Sequence, residues 1–216
     1  MMKWFLSACA ILCLRHIVIG QSDWKLQKDE AGIAIYTRDL MGYDVDEVKA
    51  VTKVKSTLSS IIAVIQDVDQ YKNWVFACEE SKILERISSA EQYHYIMNDL
   101  PYPFEDRDEV VHLTIVQDLQ TGIVSTASVG KPAYMNEIKN RVRMPAYFSG
   151  YKLTALPDGF VEISFQLRLD PGGYLPGWLV NMFIVKGPFE SIIRLRTLAV
   201  SEKYSSLVLP FIKEMN

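Results

Sequence analysis

The spacing of apolar side chains alternates between a period of two and a helical period, and the switches divide the chain into elements. Residues 32–38, GIAIYTR, have strand character, and residues 24–29 read as a short polar lead-in or helical turn. In EVKAVTKVK, residues 47–55, Val48, Ala50, Thr52 and Val54 share one face, while Glu47, Lys49, Lys53 and Lys55 share the other. That pattern predicts a half-buried strand. Ser56 or Thr57 then caps a helix through about Tyr71, with Leu58, Ile61, Ile62, Ile65 and Val68 at helical spacing. The period of two returns near Lys82. Strands are predicted near 82–87, 92–98, 109–117, 123–129, 140–150, 151–156 and 160–169. In FVEISFQLRL, the last of these, Val161, Ile163, Phe165, Leu167 and Leu169 face one way, and Glu162, Ser164, Gln166 and Arg168 the other. Leu156-Pro157-Asp158-Gly159 is the turn before it. Consecutive strands joined by short turns favour a curved antiparallel sheet, and a helix on either side of it makes an α+β domain.

The stretch after that last strand, DPGGYLPGWLVNMFIVKGPFESIIRLR, breaks the pattern again. Pro171-Gly172-Gly173 stops the strand, because proline lacks a ladder donor and glycine turns freely. Pro176 suits the first turn of a helix, which runs from Gly177 to Lys186, meets a kink or break at Gly187-Pro188 and resumes through Ala199. A surface helix needs one apolar stripe. This one is apolar on nearly every side, from Trp178 through Val185. Its simplest place is across the concave face of the sheet. A curved sheet and one long helix enclose space, and space lined by apolar side chains is a ligand site. The helix is therefore expected to act as a lid, with the ligand beneath Leu179, Met182 and Phe183 and a flexible joint at Gly172 and Gly173.

Length and charge narrow the function classes. At 216 residues with a net charge of −3, the chain is large enough for one domain with a sizeable core, and it lacks the basic runs that nucleic acid binding uses. The first 20 residues stand apart: Lys3, an apolar run from Trp4 to Leu14, and Val18-x-Gly20 before Gln21 read as a secretory signal. The run is short for a membrane span, and Arg15 and His16 interrupt it. A cleaved leader with a secreted or periplasmic mature chain, 21–216, is the expectation, and an uncleaved anchor the alternative. Cys78 is the one cysteine beyond the leader and reads as a small half-buried hydrophobe. His94 and His112 fall inside predicted strands without a triad or metal motif, and the acidic pairs Glu79-Glu80 and Asp108-Glu109 read as solvated turns. No phosphate-binding glycine loop occurs. Neither a cofactor nor a metal is expected, and the chain is expected to be a monomer.

DPGGYLPGWLVN, preceded by YKLTALPDGFVEISFQLRL, resembles the last strands and C-terminal helix of START domains, the lipid-transfer modules related to steroidogenic acute regulatory protein. VDQYKNWVFACEESKILERI is similar to the end of that family's first long helix, its tryptophan (Trp74) and the strand that follows. DLPYPFEDRDEVVHLTIV resembles the segment with the family's Pro-x-x-x-Arg-Asp feature, here Pro103, Arg107 and Asp108, and VRMPAYFSGYKL resembles its later strand pair. The resemblance implies a helix-grip fold, a curved antiparallel sheet around a long C-terminal helix, with an internal tunnel for one lipid or sterol. It further implies a binding and transfer module without enzymatic activity that touches membranes transiently. By the same resemblance Arg107 is the tunnel arginine and Glu91 its acid. Arg107 has a second reading as a solvated salt bridge among Glu105, Asp106, Asp108 and Glu109. The implied ligand contacts are Glu91, Arg107, Phe165, Leu167, Trp178, Leu179, Met182 and Phe183. The alternative function is an enzyme of the wider helix-grip class, cyclase or hydrolase-like, acting on an apolar substrate.

Overall fold

The computed structural model describes residues 23–42 and 44–215. The leader, residues 1–20, lies outside the described residues. Ten strands form one sheet: β1 (Lys25–Glu30), β2 (Ile33–Arg38), β3 (Glu47–Lys55), β4 (Cys78–Ser88), β5 (Glu91–Asn98), β6 (Asp106–Gln117), β7 (Val124–Gly130), β8 (Arg141–Arg143), β9 (Ala146–Leu156) and β10 (Phe160–Asp170). Their order is β1-β2-β3-β10-β9-β7-β6-β5-β4, with short β8 lying parallel to β6 and every other pair antiparallel. The sheet is curved and holds a long C-terminal helix, so the α+β helix-grip class stands.

The alternation in β3 and β10 places their apolar faces inward as expected. Val48, Ala50, Val161 and Ile163 are buried, and Val54 pairs with Val161 across the two strands. Glu47 departs from its expected solvent face. It is only 3% exposed, because Arg38 donates from Nε to its carboxylate at 2.6 Å. Residues 24–29, expected as a lead-in, instead contribute β1. It is an edge strand exposed on both faces, and such a strand carries no apolar alternation to read. The two strands expected at 140–150 and 151–156 are divided elsewhere. The break falls between Arg143 and Ala146, and β9 runs unbroken through Gly150 and Tyr151. Proline at 145 lacks the N–H that a continuous ladder needs there.

The first helix, α1 (Leu58–Gln66), is capped by Thr57, whose hydroxyl accepts from the Ser60 N–H at 3.0 Å. Two further orphan N–H groups, of Leu58 and Ser59, donate to the Glu214 carboxylate at 2.9 and 2.8 Å, so the C-terminal tail completes the cap. The helix ends at Gln66 rather than near Tyr71. Asp67 leaves helical geometry, and a 3-10 turn leads to the single turn α2 (Tyr71–Trp74). Near the C-terminus the chain is helical through α3 (Gly177–Asn181), a π turn (Met182–Lys186) and α4 (Gly187–Ala199), followed by α5 (Glu202–Ser205). The expected break at Gly187-Pro188 is a widened turn. The Gly187 N–H reaches back five residues to Met182 O, which accommodates a proline that offers no donor and crowds the preceding turn. Ile61 and Ile62 of α1 and Ile192 and Leu195 of α4 join Ile33, Ile35 and Leu153 of the sheet in one core.

Candidate functional site: a cavity beneath the C-terminal helix

The inner side chains of the sheet and the C-terminal helix enclose a cavity of about 150 Å³. Its helical wall is made by Val180, Phe183, Ile184, Pro188, Ser191 and Ile192. Their spacing of three and four keeps them on one face. Phe165 and Leu167 of β10 and Tyr147 and Tyr151 of β9 supply the floor, and Tyr71 and Trp74 of α2 close one side. Four of the eight sequence-predicted contacts therefore meet at this wall: Arg107, Phe165, Leu167 and Phe183. Leu179 is fully buried and Met182 half-buried, but both lie off the cavity face, one position round the helix from Val180 and Phe183. Trp178 is 59% exposed and packs edge-on against Phe104, with ring centroids 6.4 Å apart.

Side-chain parity decides which polar groups enter. On β6, Arg107 and Glu109 face the cavity, and Asp108 faces away from it. On β5, His94, Ile96 and Asn98 face it. Glu91 has the opposite parity. Its carboxylate pairs with His112 Nε2 at 2.7 Å on the outer face, where His112 also stacks on Tyr93. The acid on the cavity wall is Glu109, not Glu91.

Arg107 is inside, 6% exposed, and desolvation lowers its pKa. Its guanidinium is engaged by backbone. Nε donates to Pro171 O at 3.0 Å, Nη2 to Gly172 O at 2.9 Å, and Nη1 to Glu105 O. It therefore ties the start of β6 to the segment that leads from β10 into the helix, and the surface salt-bridge reading does not hold. Gly172 and Gly173 sit at φ +67 and +63, the left-handed region that glycine enters at no steric cost, and the Gly172 N–H donates to Asp170 Oδ1 at 2.8 Å.

The pair Asp108-Glu109, expected as a solvated turn, is buried on both sides of the sheet. Asp108 is fully buried beneath Arg143, whose Nε and Nη2 donate to its two oxygens at 2.7 and 3.1 Å, and the Tyr95 hydroxyl donates to Oδ2 at 3.0 Å. Arg143 also donates to Pro132 O and Met135 O, fixing the crossing chain outside the sheet. Glu109, 4% exposed, has burial as the main force on its carboxyl, with the Asp108 charge adding to it, and its pKa rises to about 8. Burial pulls His94 down to about 3. Desolvation also raises Tyr71, Tyr147 and Tyr151. Cys78 is buried with its thiol pushed up to about 12, which leaves no thiolate near neutral pH.

The buried side-chain polar atoms without a hydrogen-bond partner, among the described residues, are Trp74 Nε1, His94 Nδ1 and Glu109 Oε2. All three residues line the cavity. Reading the sequence missed Glu109 and His94 as site residues, although a signal was present. Once Arg107 is placed inward, a period of two carries Glu109 with it, and His94 shares its face with Ile96. No cluster of metal-ligating side chains occurs among the described residues, and no described helix is long and apolar enough to cross a membrane.

Comparison with known proteins follows the same outline. The START domain family model matches residues 8–200. An uncharacterized protein of Pseudomonas aeruginosa is 33% identical over 177 residues, covering 82% of this chain and 87% of that protein. Human START domain-containing protein 10 is 22% identical over 165 residues, which span 73% of this chain and 55% of that protein. Among solved structures, a STAR-related lipid transfer protein fragment from Xanthomonas axonopodis superposes with a TM-score of 0.75 at 29% identity, covering 82% of this chain and 99% of that one. Human StAR-related lipid transfer protein 5 has the same fold, with a TM-score of 0.72 at 16% identity over 82% of this chain and 86% of that one. With the family model spanning most of its length and the fold matching in detail, this chain belongs to the START domain family.

Proposed function

We propose that the protein binds, and carries between membranes, one apolar small molecule of the lipid or sterol type, held in the cavity and covered by the helix 177–199. The observation that carries this reading is the cavity itself: aromatic and aliphatic walls with a few convergent polar groups, in a chain of the START family. The enclosed space is smaller than the roughly 300–1,000 Å³ of ligand pockets. Loading therefore requires the helix to move, and the joint at Gly172-Gly173 is where it would pivot. Membrane contact is transient in this reading, and the working unit is a monomer exported after loss of the leader near Gln21. Transfer of a fluorescent sterol or phospholipid from donor to acceptor vesicles tests the function. Protein-dependent transfer above the spontaneous rate is expected, and no acceleration with any lipid class would overturn it. Intact mass of the native protein tests the leader; Met1 retained in a soluble cytoplasmic pool would overturn export.

One observation favours a second reading. Glu109 and His94 have strongly displaced pKa values inside a cavity, a combination found at acid–base catalytic sites. An enzyme would return a chemically altered ligand, whereas a carrier returns it unchanged, so mass analysis of extracted ligand after incubation separates the two.

A further inference from the structure

The cavity wall holds more polar groups than the three with unpartnered buried atoms, and several of the others are committed. The Tyr147 hydroxyl donates to Ser149 Oγ, the Tyr71 hydroxyl to Ile65 O and the Ser191 hydroxyl to Gly187 O. Arg107 donates to three carbonyls. The fully buried atoms without a partner are a donor at Trp74, a ring nitrogen at His94 and one carboxyl oxygen of Glu109, whose side chain also meets Asn98. His94 and Trp74 both pack edge-on against Tyr71, at 5.7 and 5.2 Å between centroids. Glu109 stands opposite Ile96, the neighbour of His94 on the same face of β5. Leaving a polar group buried without a partner is costly, and in folded proteins such groups are few. All three are confined to one cavity, so any partner they find there is something the cavity holds.

We infer that Glu109, His94 and Trp74 form the polar end of the binding site, and that this end takes an uncharged hydroxyl group on an otherwise apolar molecule. This assignment rests on the ligand-binding reading above and adds the chemistry of the ligand's buried end. A hydroxyl donates one hydrogen bond and accepts others, so it matches an acceptor at Glu109 or His94 together with the donor at Trp74. A carboxylate or phosphate would lose its hydration in an apolar cavity whose arginine, Arg107, already donates to three backbone carbonyls. An ammonium cannot accept from Trp74 Nε1, and it enters a cavity that already contains the Arg107 guanidinium. The burial that raises the Glu109 pKa acts in the same direction, since it favours the uncharged carboxyl at neutral pH.

The test is displacement of a fluorescent apolar probe from the full chain, near neutral pH, by dodecanol, dodecanoate and dodecylamine, which share one apolar body. Dodecanol is expected to displace the probe at concentrations about tenfold lower than either charged relative. Glu109→Leu should bind dodecanol about tenfold more weakly while melting at a higher temperature, because it removes a buried acid whose Oε2 has no partner. A wall residue needed only for the fold would lower the melting temperature instead. Glu109→Gln, which keeps size and hydrogen bonding, should bind dodecanol within about threefold of the parent and remains informative if the leucine variant fails to fold. Equal or better binding of dodecanoate or dodecylamine overturns the assignment, as does unchanged dodecanol binding in Glu109→Leu. If none of the three displaces the probe, yet vesicle transfer of lipid proceeds, this assignment alone fails. If transfer fails as well, the ligand-binding reading falls with it.

Discussion

Glu109 and His94 pull the acid–base behaviour of the fold in opposite directions. The folded protein holds the Glu109 proton up to about pH 8, whereas the unfolded chain loses it near the ordinary value of 4.5. The folded state thus binds more protons through that window, and stability falls as pH rises across it. His94 is neutral in the fold down to about pH 3, but titrates near 6.5 when unfolded, so stability falls as pH drops from 6.5 toward 3. Between about 4.5 and 6.5 the two slopes oppose each other. Above 6.5 only the Glu109 slope remains. Thermal melts from pH 5 to 8 should show falling stability on the alkaline side, on the order of a few kcal/mol at most, and Glu109→Gln should flatten it. An unchanged slope in that variant would place the proton elsewhere. The Asp108–Arg143 pair on the other face of β6 behaves differently, because both partners are buried and mutually bonded. Arg143→Met strands a buried carboxylate and should cost about 3–5 kcal/mol in urea unfolding, with Asp108→Leu added to it recovering much of the loss. Equal stability of the two variants would mean the pair is not coupled.

The segment between β10 and the C-terminal helix combines an arginine clamp with two left-handed glycines. Arg107 holds Pro171 and Gly172 by their carbonyls, and the two glycines behind it turn left-handed. Arg107→Leu removes charge-assisted bonds worth about 1.5–3 kcal/mol each. It should loosen the joint locally, raising hydrogen exchange over residues 172–181 by about tenfold or more while leaving exchange in β9 and β10 unchanged. Uniform loosening would instead make Arg107 part of the global core. Gly172→Ala should destabilise by about 1–2 kcal/mol from its backbone alone, and its new Cβ would meet Pro145 Cδ and Val142 Cγ1 at 3.2 Å. Such elements differ in how openly the sequence reveals them. β3 and β10 were readable because one face is buried and the other wet, which enforces alternation. β1 was not, because an edge strand exposed on both faces has nothing to alternate. The helix 177–199 declared its apolar surface but not its rotation, since its first half, Trp178 through Val185, is apolar on nearly every side. Val180 rather than Leu179 therefore faces the cavity, a choice set by packing against the sheet. Glu91 lies off the cavity face because the β5–β6 register pairs it with Thr114 while Asn98 meets Arg107, and the length of the connection at 99–105 that sets this register follows no sequence pattern.

The C-terminal tail binds the architecture together from far along the chain. Glu214 reaches the N-terminus of α1, and Lys203 and Tyr204 meet Asp67 just past its C-terminus at 2.6 and 2.8 Å. Glu214→Ala should therefore cost about 1 kcal/mol in thermal or urea unfolding, as the loss of a helix cap does. No change would mean the tail is not docked in solution. The described residues then form a curved sheet with α1 and the helix 177–199 packed on its inner face beside a cavity of about 150 Å³. The helix movement proposed for loading belongs to the microsecond to millisecond range. Native mass spectrometry of the purified protein measures the central claim most directly. One apolar molecule per chain, absent after organic extraction and restored on incubation with lipid vesicles, is the expected result. A chain that carries no ligand as purified, and gains none from vesicles of any lipid class, would contradict it.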